Sequence, residues 1–113
     1  MLAKKYRLSK EKDINTVLRK GKSFFSEYFT LRLLKQDTSA KRFGFIFSKK
    51  IHNKPTQRNL PKKRMRHTIA GLLVSILFKG DFLFIGKKKI LELNNEQLAD
   101  EMLRVLKKAN VFK

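Results

Sequence analysis

A block of cations without any neighbouring acid indicates the chemistry of this chain. Between Thr38 and Gly80 the sequence holds eleven Lys or Arg residues and no Asp or Glu. Most of these cations fall in Lys49-Lys50, Lys54, Arg58 and the run Lys62-Lys63-Arg64-Met65-Arg66, and Asn59 directly follows Arg58. Like charges at this density repel one another, and phosphate groups relieve that repulsion while releasing their own condensed counterions. The block therefore predicts a surface that binds a polyanionic backbone.

The residue types that perform catalysis or hold metals do not form a recognisable set in the sequence. His52 and His67 are the two histidines, and neither has a carboxylate or a cysteine at the spacing of metal ligands. The acidic residues stand outside the cationic block, three of them in the predicted last helix (Glu96, Asp100 and Glu101). We therefore expect no catalytic residue and no magnesium site in this chain alone.

Composition restricts the class of protein. The 113 residues carry 28 basic and nine acidic side chains, and the formal charge of +19 favours nucleic acid as a partner over an anionic membrane. A hydrophobic content of 42%, with ten Phe, is enough for one core and predicts one domain over residues 1–113. The sequence has no Cys, no secretory signal and no apolar run long enough to cross a bilayer. These absences predict a soluble cytoplasmic protein.

Hydrophobic periodicity predicts the elements that must position these cations. The first half should contain a helix capped by Ser9 and ended by Gly21, a strand over Tyr28–Leu34, a turn over Gln36–Ala40, an antiparallel strand over Arg42–Phe47, and a loop or irregular edge strand over Ser48–Gln57. The second half should contain a helix over residues 60–78, a strand over Phe82–Ile85, and a helix capped by Asn94 that buries Leu98, Met102, Val105 and Ala109. The order α-β-β-(β)-α-β-α predicts a sheet with helices packed on it.

The long helix carries much of the charge on one stripe. Asn59 is its predicted N-cap, and Pro61 would lie in its first turn. The stripe consists of Arg58, Lys62 and Arg66, followed by Ile69, Leu73 and Ile76. Burial of three unpaired cations would be prohibitive, so we expect the start of this helix to overhang the core and present its charge to an anion. A solvated face is the alternative, but such a face usually mixes both signs of charge.

Aromatic residues cluster in and near the predicted strands, at Phe24, Phe25, Phe29, Phe43, Phe45 and Phe47. They could form a base-stacking platform on the sheet. Because Phe29 alternates with aliphatic residues, we interpret the cluster as mostly core. The opposite face of the first predicted strand, with Thr30 and Arg32, is then free to line a groove.

The region from Ser48 to Arg66 resembles a motif of the bacterial ribonuclease P protein component. In that family a strand ends in S-K-K, and after a short loop the pattern R-N-x-x-K-[RK]-x-x-R opens a long helix. Here the motif reads Ser48-Lys49-Lys50 and then Arg58-Asn59-Leu60-Pro61-Lys62-Lys63-Arg64-Met65-Arg66. The resemblance extends over nearly the whole chain. It implies an α+β fold, a two-layer αβββαβα sandwich resembling the second domain of a ribosomal small-subunit protein, with a left-handed βαβ crossover.

The resemblance also implies a function in transfer RNA processing. The chain would be the non-catalytic protein subunit of an RNA-based endonuclease, with two partners, the catalytic RNA of ribonuclease P and precursor transfer RNA. The cofactor would be Mg²⁺, held mainly by the partner RNA, for hydrolytic removal of the 5′ leader. By position, the residues that would contact the catalytic RNA are Lys49, Lys50, Arg58, Asn59, Lys62, Lys63 and Arg66. The residues that would line the leader-binding groove are Ile14, Leu18, Thr30 and Arg32.

The sequence also departs from that family and leaves alternatives open. Ile14, Leu18 and Arg32 stand at groove positions where the family commonly has aromatic residues, so weaker stacking and more phosphate contact are expected. A ribosomal or other small basic RNA-binding protein without a role in cleavage is the alternative function, and a membrane-surface binder is a third. The R-N motif after S-K-K favours the first reading. The stripe that is cationic and then apolar argues against the third, because an interfacial helix needs these properties on opposite faces.

Overall fold

The fold is α+β, with three α-helices and four strands in the residues that the computed structural model describes, 2–36 and 40–112. The helices are α1 (Glu11–Lys20), α2 (Pro55–Leu72) and α3 (Asn95–Lys108), and the strands are β1 (Lys22–Phe25), β2 (Phe29–Lys35), β3 (Arg42–Ile46) and β4 (Gly80–Gly86). Short 3-10 helices cover Lys4–Tyr6 and Lys88–Glu92. Most of the turn predicted over Gln36–Ala40 lies outside the described residues.

The sheet is mixed, with the strand order β1-β2-β4-β3. Strands β1 and β2, and β2 and β4, pair antiparallel, whereas β3 and β4 pair parallel. Strand β3 thus runs antiparallel to β2, as predicted, but it pairs with β4, which lies between the two. Helix α2 forms the connection that returns the chain from β3 to a parallel neighbour, as such pairs require.

One strand was missed by sequence reasoning, and one tentative strand does not form. The missed strand is β1, whose four residues Lys-Ser-Phe-Phe have no polar and apolar alternation to reveal it. The segment Ser48–Gln57 forms no strand: the backbone N–H of Ile51 donates to the carbonyl of Ser48 at 3.1 Å, and α2 begins at Pro55.

Helices cover both faces of the sheet, so the predicted two-layer arrangement needs correction. The face that carries Phe29, Leu31 and Leu33 of β2 packs in the main core with buried residues of α2 and α3. The other face carries a smaller cluster, Leu8, Val17 and Leu83, through which α1 packs on the sheet. We call these the inner face and the outer face. The alternation predicted for β2, with Thr30 and Arg32 opposite Phe29 and Leu31, is confirmed.

Helix α2 differs most from its prediction. It begins at Pro55 and ends at Leu72, so Asn59 lies one turn inside the helix instead of capping it, and Pro61 is in the helix interior. A proline there removes the hydrogen bond to the carbonyl four residues earlier, which belongs to the exposed Gln57, where water can replace the lost donor. The buried stripe of α2 is Pro61, Met65 and Ile69. The helix therefore packs on the core from Pro61 onward, and the turns that carry Lys62 and Arg66 do not overhang the core as expected.

The other helix termini follow their predictions in part. Ser9 does not cap α1, whose N-cap position is Lys10 without a side-chain hydrogen bond. Asn94 caps α3 through a complete capping box with Gln97, as predicted. The predicted buried stripe of α3 is confirmed at Leu98, Met102 and Val105, with Leu106 buried as well and Ala109 half-buried.

Candidate nucleic-acid interface

The cations of α2 form a flank beside its buried stripe. Arg58, Lys62 and Arg66 follow one another at a spacing of one helical turn, and none of them takes part in a salt bridge within the described residues. Burial, and then the charges of Arg66 and Arg58, lowers the pKa of the Lys62 ammonium below its ordinary value. The flank thus carries repelling positive charge that a bound anion would stabilise.

Arg58 has a second task besides carrying charge. Its Nη1 donates to the carbonyl oxygens of His52 at 2.8 Å and Asn53 at 3.2 Å. These two hydrogen bonds fasten the loop between β3 and α2 to the first turns of the helix. A guanidinium has five N–H donors, so Arg58 keeps others for a ligand.

A shallow cavity of about 360 Å³ lies on the exposed side of this flank, lined by Asn59, Lys62, Lys63, Arg66 and His67. Four of these are predicted contact residues, and His67 joins them as a surface neighbour. The guanidinium carbon of Arg66 lies 5.7 Å from the ring centroid of Phe45, a cation–π contact that orients it along the edge of the sheet. The cavity therefore offers several hydrogen-bond donors and no carboxylate.

Lys49 and Lys50 lie in the turn that follows β3, and both are exposed. Because β3 and β4 are parallel, their carboxyl ends meet at the same end of the sheet, which brings the segment after β4 beside this turn. That segment contains Lys87, Lys88 and Lys89, all exposed. The sequence analysis assigned these three lysines no role in binding, and parallel pairing of the two strands is the signal that would have placed them. We call the two segments together the basic end of the sheet.

The four predicted groove residues come to the outer face, around α1. Leu18 is 40% exposed, and Ile14 is half-buried against the cluster of Leu8, Val17 and Leu83. Thr30 and Arg32 are half-buried on β2. Beyond α1, one row of side chains crosses all four strands through direct cross-strand neighbours: Phe25, Thr30, Ile85 and Ile46. In this row, which we call the open row, Phe25 is exposed and the other three residues are half-buried, and its two isoleucines pack against the cluster of Leu8, Val17 and Leu83.

Arg32 holds α1 instead of offering its charge to a ligand. Its Nη2 donates to the carbonyl of Leu18 at 2.6 Å and that of Val17 at 3.4 Å, and its Nη1 donates to Ser23 Oγ at 2.6 Å. A cation at the carboxyl end of a helix also interacts favourably with the helix dipole. The expected shift of the groove towards phosphate contacts through Arg32 is therefore not supported, because both Nη atoms are engaged by protein oxygens.

The other half of α1 is held by Arg42. Its Nη1 donates to Asp13 Oδ2 at 3.0 Å, while its Nε and Nη2 donate to the two oxygens of Asp81, each at 2.9 Å. Asp81 is only 2% exposed, and its hydrogen bond is the main cause that raises the pKa of Arg42 above its ordinary value. Two arginines, on strands that lie on either side of β4, thus fix α1 over the outer face.

Phe25 is the exception to the interpretation of the phenylalanine cluster as mostly core, because 67% of it is exposed. It lies at the β1 end of the open row, and Lys87 Nζ is 5.9 Å from its ring centroid. Adjacent aromatics in a strand point to opposite faces, so only one of Phe24 and Phe25 can face the core. Recognition of β1 as a strand would have identified Phe25 as a site residue.

Two further findings concern metals and membranes. Among residues 2–36 and 40–112, no group of three or more His, Asp or Glu side chains could hold a metal ion. No helix in the same part of the chain is long and apolar enough to cross a membrane.

The chain is similar to known proteins over nearly its full length. The sequence model of the family described as Ribonuclease P matches residues 2–110. The ribonuclease P protein component of Streptococcus pneumoniae serotype 4 is 30% identical over 112 residues, covering 99% of this chain and 90% of that protein. The RNase P protein of Staphylococcus aureus superposes with a TM-score of 0.88 at 25% identity, covering 96% of this chain and 98% of the other. That of Thermotoga maritima, in complex with 1-(4-fluorophenyl)-2-thiourea, gives a TM-score of 0.82 at 26% identity, covering 90% and 98%.

Proposed function

Since the chain belongs to the ribonuclease P protein family, we propose that two of its surfaces bind different RNAs. The family is the protein component of the RNA-based endoribonuclease that processes the 5′ leader of precursor transfer RNA. The cationic flank of α2 and the turn that carries Lys49 and Lys50 bind the catalytic RNA. The outer face beside α1 binds the leader of the precursor.

The observation that carries this proposal is the unbalanced charge of the α2 flank. Lys62, with a pKa lowered by burial and by Arg58 and Arg66, is stabilised when a phosphate enters the flank. Asn59 and Lys63 line the same cavity, where an amide and a second ammonium add hydrogen bonds to phosphate or ribose oxygens.

Lys49 and Lys50 extend this contact surface past the end of β3. Their turn is joined to the start of α2 by the hydrogen bonds of Arg58 to the loop carbonyls. Arg58 therefore acts twice, as a phosphate contact and as the residue that keeps loop and helix in one arrangement. A preformed surface loses less conformational entropy when it binds a folded RNA.

The leader groove is bounded by Ile14 and Leu18 of α1 and by Thr30 of β2. Ile14 and Leu18 supply apolar contact, Thr30 supplies a hydroxyl, and Arg32 contributes by holding α1 in place. Contacts of this kind are generic, which suits a groove that accepts leaders of different sequence.

Hydrolysis belongs to the RNA in this proposal. Among residues 2–36 and 40–112 the acidic side chains form no group that fits a magnesium site; Asp81 and Asp13, for example, bind Arg42, and Glu101 binds Arg104 and Ser26. Mg²⁺ held by the partner RNA would supply the activation of water and the stabilisation of the leaving oxygen. The protein binds and orients the two RNAs.

The same proposal includes finer points on the domain, the location and the fold. Residues 1–113 act as one ribonuclease P protein domain, and the protein works in the cytoplasm with its RNA. The β3–α2–β4 crossover is left-handed, against the strong general preference for the right-handed form, and the fold is related to the second domain of a ribosomal small-subunit protein. The resemblance described from the sequence supports the last two points.

The salt dependence of RNA binding tests the docking surface. We expect Lys62→Ala to reduce the slope of log K against log salt for binding to ribonuclease P RNA by about 0.7 to 0.9, the value of one lost phosphate contact. Arg64→Ala is the matched control, because Arg64 lies on the other flank of α2, where its Nη1 donates to the carbonyl of Leu93 at 3.3 Å. Equal slopes for Lys62→Ala and the wild type would show that this flank is not the contact surface.

A further inference from the structure

Phe25 is an exposed aromatic residue at the last position of β1. It belongs to β1, pairs directly with Thr30 of β2, and therefore stands on the outer face at the edge of the sheet. A large apolar side chain that is 67% exposed gains little from folding. Its ring thus presents one free face next to the groove assigned above to the leader.

The turn that follows Phe25 is held by a polar network that reaches α3. The backbone N–H of Tyr28 donates to Ser26 Oγ at 3.1 Å, and Ser26 Oγ in turn donates to Glu101 Oε2. Ser26 is buried, and Lys87 Nζ donates to its carbonyl oxygen at 2.6 Å. The end of β1 is therefore fixed on both sides, which holds the backbone that carries the ring of Phe25.

Lys87 brings a positive charge to the same spot. Its ammonium lies 5.9 Å from the Phe25 ring centroid and uses one of its three donors on Ser26, so two remain for a ligand. A flat apolar ring with an adjacent cation matches a nucleotide, whose base stacks on the ring while its phosphate meets the ammonium.

We propose that Phe25 is a base-stacking residue for the single-stranded 5′ leader, with Lys87 as the phosphate partner of the same nucleotide. The inference rests on the proposed function and assigns the β1 edge of the groove a specific contact. The open row joins this edge to α1: Phe25 lies beside Thr30, and Thr30 lies beside Ile85. A leader that follows the row passes from the aliphatic residues of α1 to the ring of Phe25. Single-stranded RNA fits this edge because unpaired bases expose their faces for stacking, whereas paired bases do not.

The test uses the holoenzyme reconstituted with a bacterial ribonuclease P RNA and measures the Kd of two precursor transfer RNAs. One substrate has a leader of a single nucleotide, and the other has a leader long enough to cross the groove. Phe25→Ala should raise the Kd of the long-leader substrate by about 5-fold to about 150-fold, the range for loss of one stacked base. The Kd of the short-leader substrate should stay at the wild-type value.

Four variants separate stacking from other effects. Phe25→Tyr keeps a ring and should bind like the wild type, whereas Phe25→Leu keeps apolar area without a ring and should show most of the loss. Val74→Ala is the matched control, because Val74 is 93% exposed and lies outside the sheet. Lys87→Gln should weaken long-leader binding more at low salt than at high salt.

The outcomes distinguish this inference from the proposed function. If the wild type prefers the long leader and Phe25→Ala keeps that preference, the stacking role is wrong while the groove stands. If the wild type shows no preference for the long leader, both the groove and the stacking role are wrong. If Phe25→Ala instead raises the Kd of the protein for ribonuclease P RNA, the ring belongs to the interface with that RNA. If it abolishes binding of a protein partner and leaves the Kd of both substrates unchanged, the ring belongs to a protein interface. Either outcome contradicts the stacking role.

Discussion

Glu101 stabilises part of the candidate site although it lies outside that site. It accepts hydrogen bonds from Arg104 and from Ser26, and through Ser26 it fixes the turn that carries Phe25. The hydrogen bond from Arg104, followed by that from Ser26, lowers the pKa of Glu101 from 4.5 to about 2, against the opposing effect of burial. A carboxylate of α3 thus supports a ring on the far edge of the sheet.

The lowered pKa of Glu101 predicts a pH dependence of stability. Because the folded state holds this carboxylate charged below the pH at which the unfolded chain protonates it, its contribution is fully present above about pH 4.5 and is lost as the pH falls towards 2. Glu101→Gln should therefore lose stability at pH 6 and change less between pH 6 and pH 3 than the wild type. Urea unfolding at both pH values measures this.

Asp100→Asn is the control for that experiment, since Asp100 is the exposed neighbour of Glu101 on α3. It should keep the wild-type difference between the two pH values. A wild-type difference that survives in Glu101→Gln would mean that other carboxylates cause the acid sensitivity.

At the scale of elements, the position of α1 decides the width of the groove. Val17 is the one residue of α1 that is fully buried, so apolar packing alone gives this helix a small contact with the sheet. Arg32 binds its carboxyl end, and Arg42 binds Asp13 in its first turn. Polar contacts at two points thus compensate for a narrow apolar stripe.

Removal of the contact at the carboxyl end of α1 gives a prediction for stability and binding together. Arg32→Ala should lower the free energy of unfolding by about 1 to 3 kcal/mol, because it deletes charge-assisted hydrogen bonds to helix carbonyls. It should also weaken long-leader binding, since α1 is then less well fixed. Arg19→Ala, an exposed cation of the same helix, should change stability by less than about 0.5 kcal/mol. Equal unfolding free energies for the two variants would contradict this role.

The elements also show how far sequence reasoning reaches. The pattern of β2 and the capping box of α3 were predictable, because alternation and Asn94 with Gln97 are local signals. Strand β1 was not predictable, because four residues are too few to show a hydrophobic period. Phe25 was missed for that reason. The parallel pairing of β3 was not predictable either, because it depends on a strand that is distant in the sequence. Pro61 was the reason for predicting the start of α2 too late in the chain. A proline is tolerated inside this helix because the carbonyl that loses its hydrogen bond is exposed to water.

The residues of the candidate site also differ in how far the sequence could predict them. The cations of the S-K-K turn and of α2 could be selected from their density alone, since charge without neutralisation needs no tertiary information. The roles within the set could not: Arg58 also fastens the loop, and Arg32 is occupied by α1. Lys87 reaches Phe25 because β4 ends beside the start of β2, where Gly86 pairs with Phe29.

At the scale of the whole molecule, the charge of +19 needs a partner. The α2 flank and the basic end of the sheet hold part of these cations, while the groove between α1 and the open row is largely apolar and hydroxylic. In the proposed function, one protein would bind two RNAs at once, a folded RNA by charge and a single strand by contact with its bases. Binding both would raise the effective concentration of the precursor at the catalytic RNA.

Reconstituted cleavage at low Mg²⁺ tests this account most directly. Ribonuclease P RNA alone and RNA with the protein are compared over a Mg²⁺ titration, with a precursor transfer RNA that carries a long leader. We predict that the protein moves the midpoint of the titration to lower Mg²⁺, because its cations replace part of the screening that Mg²⁺ supplies, and that Lys62→Ala reverses part of this shift. A midpoint that does not move when the protein is added would contradict the account.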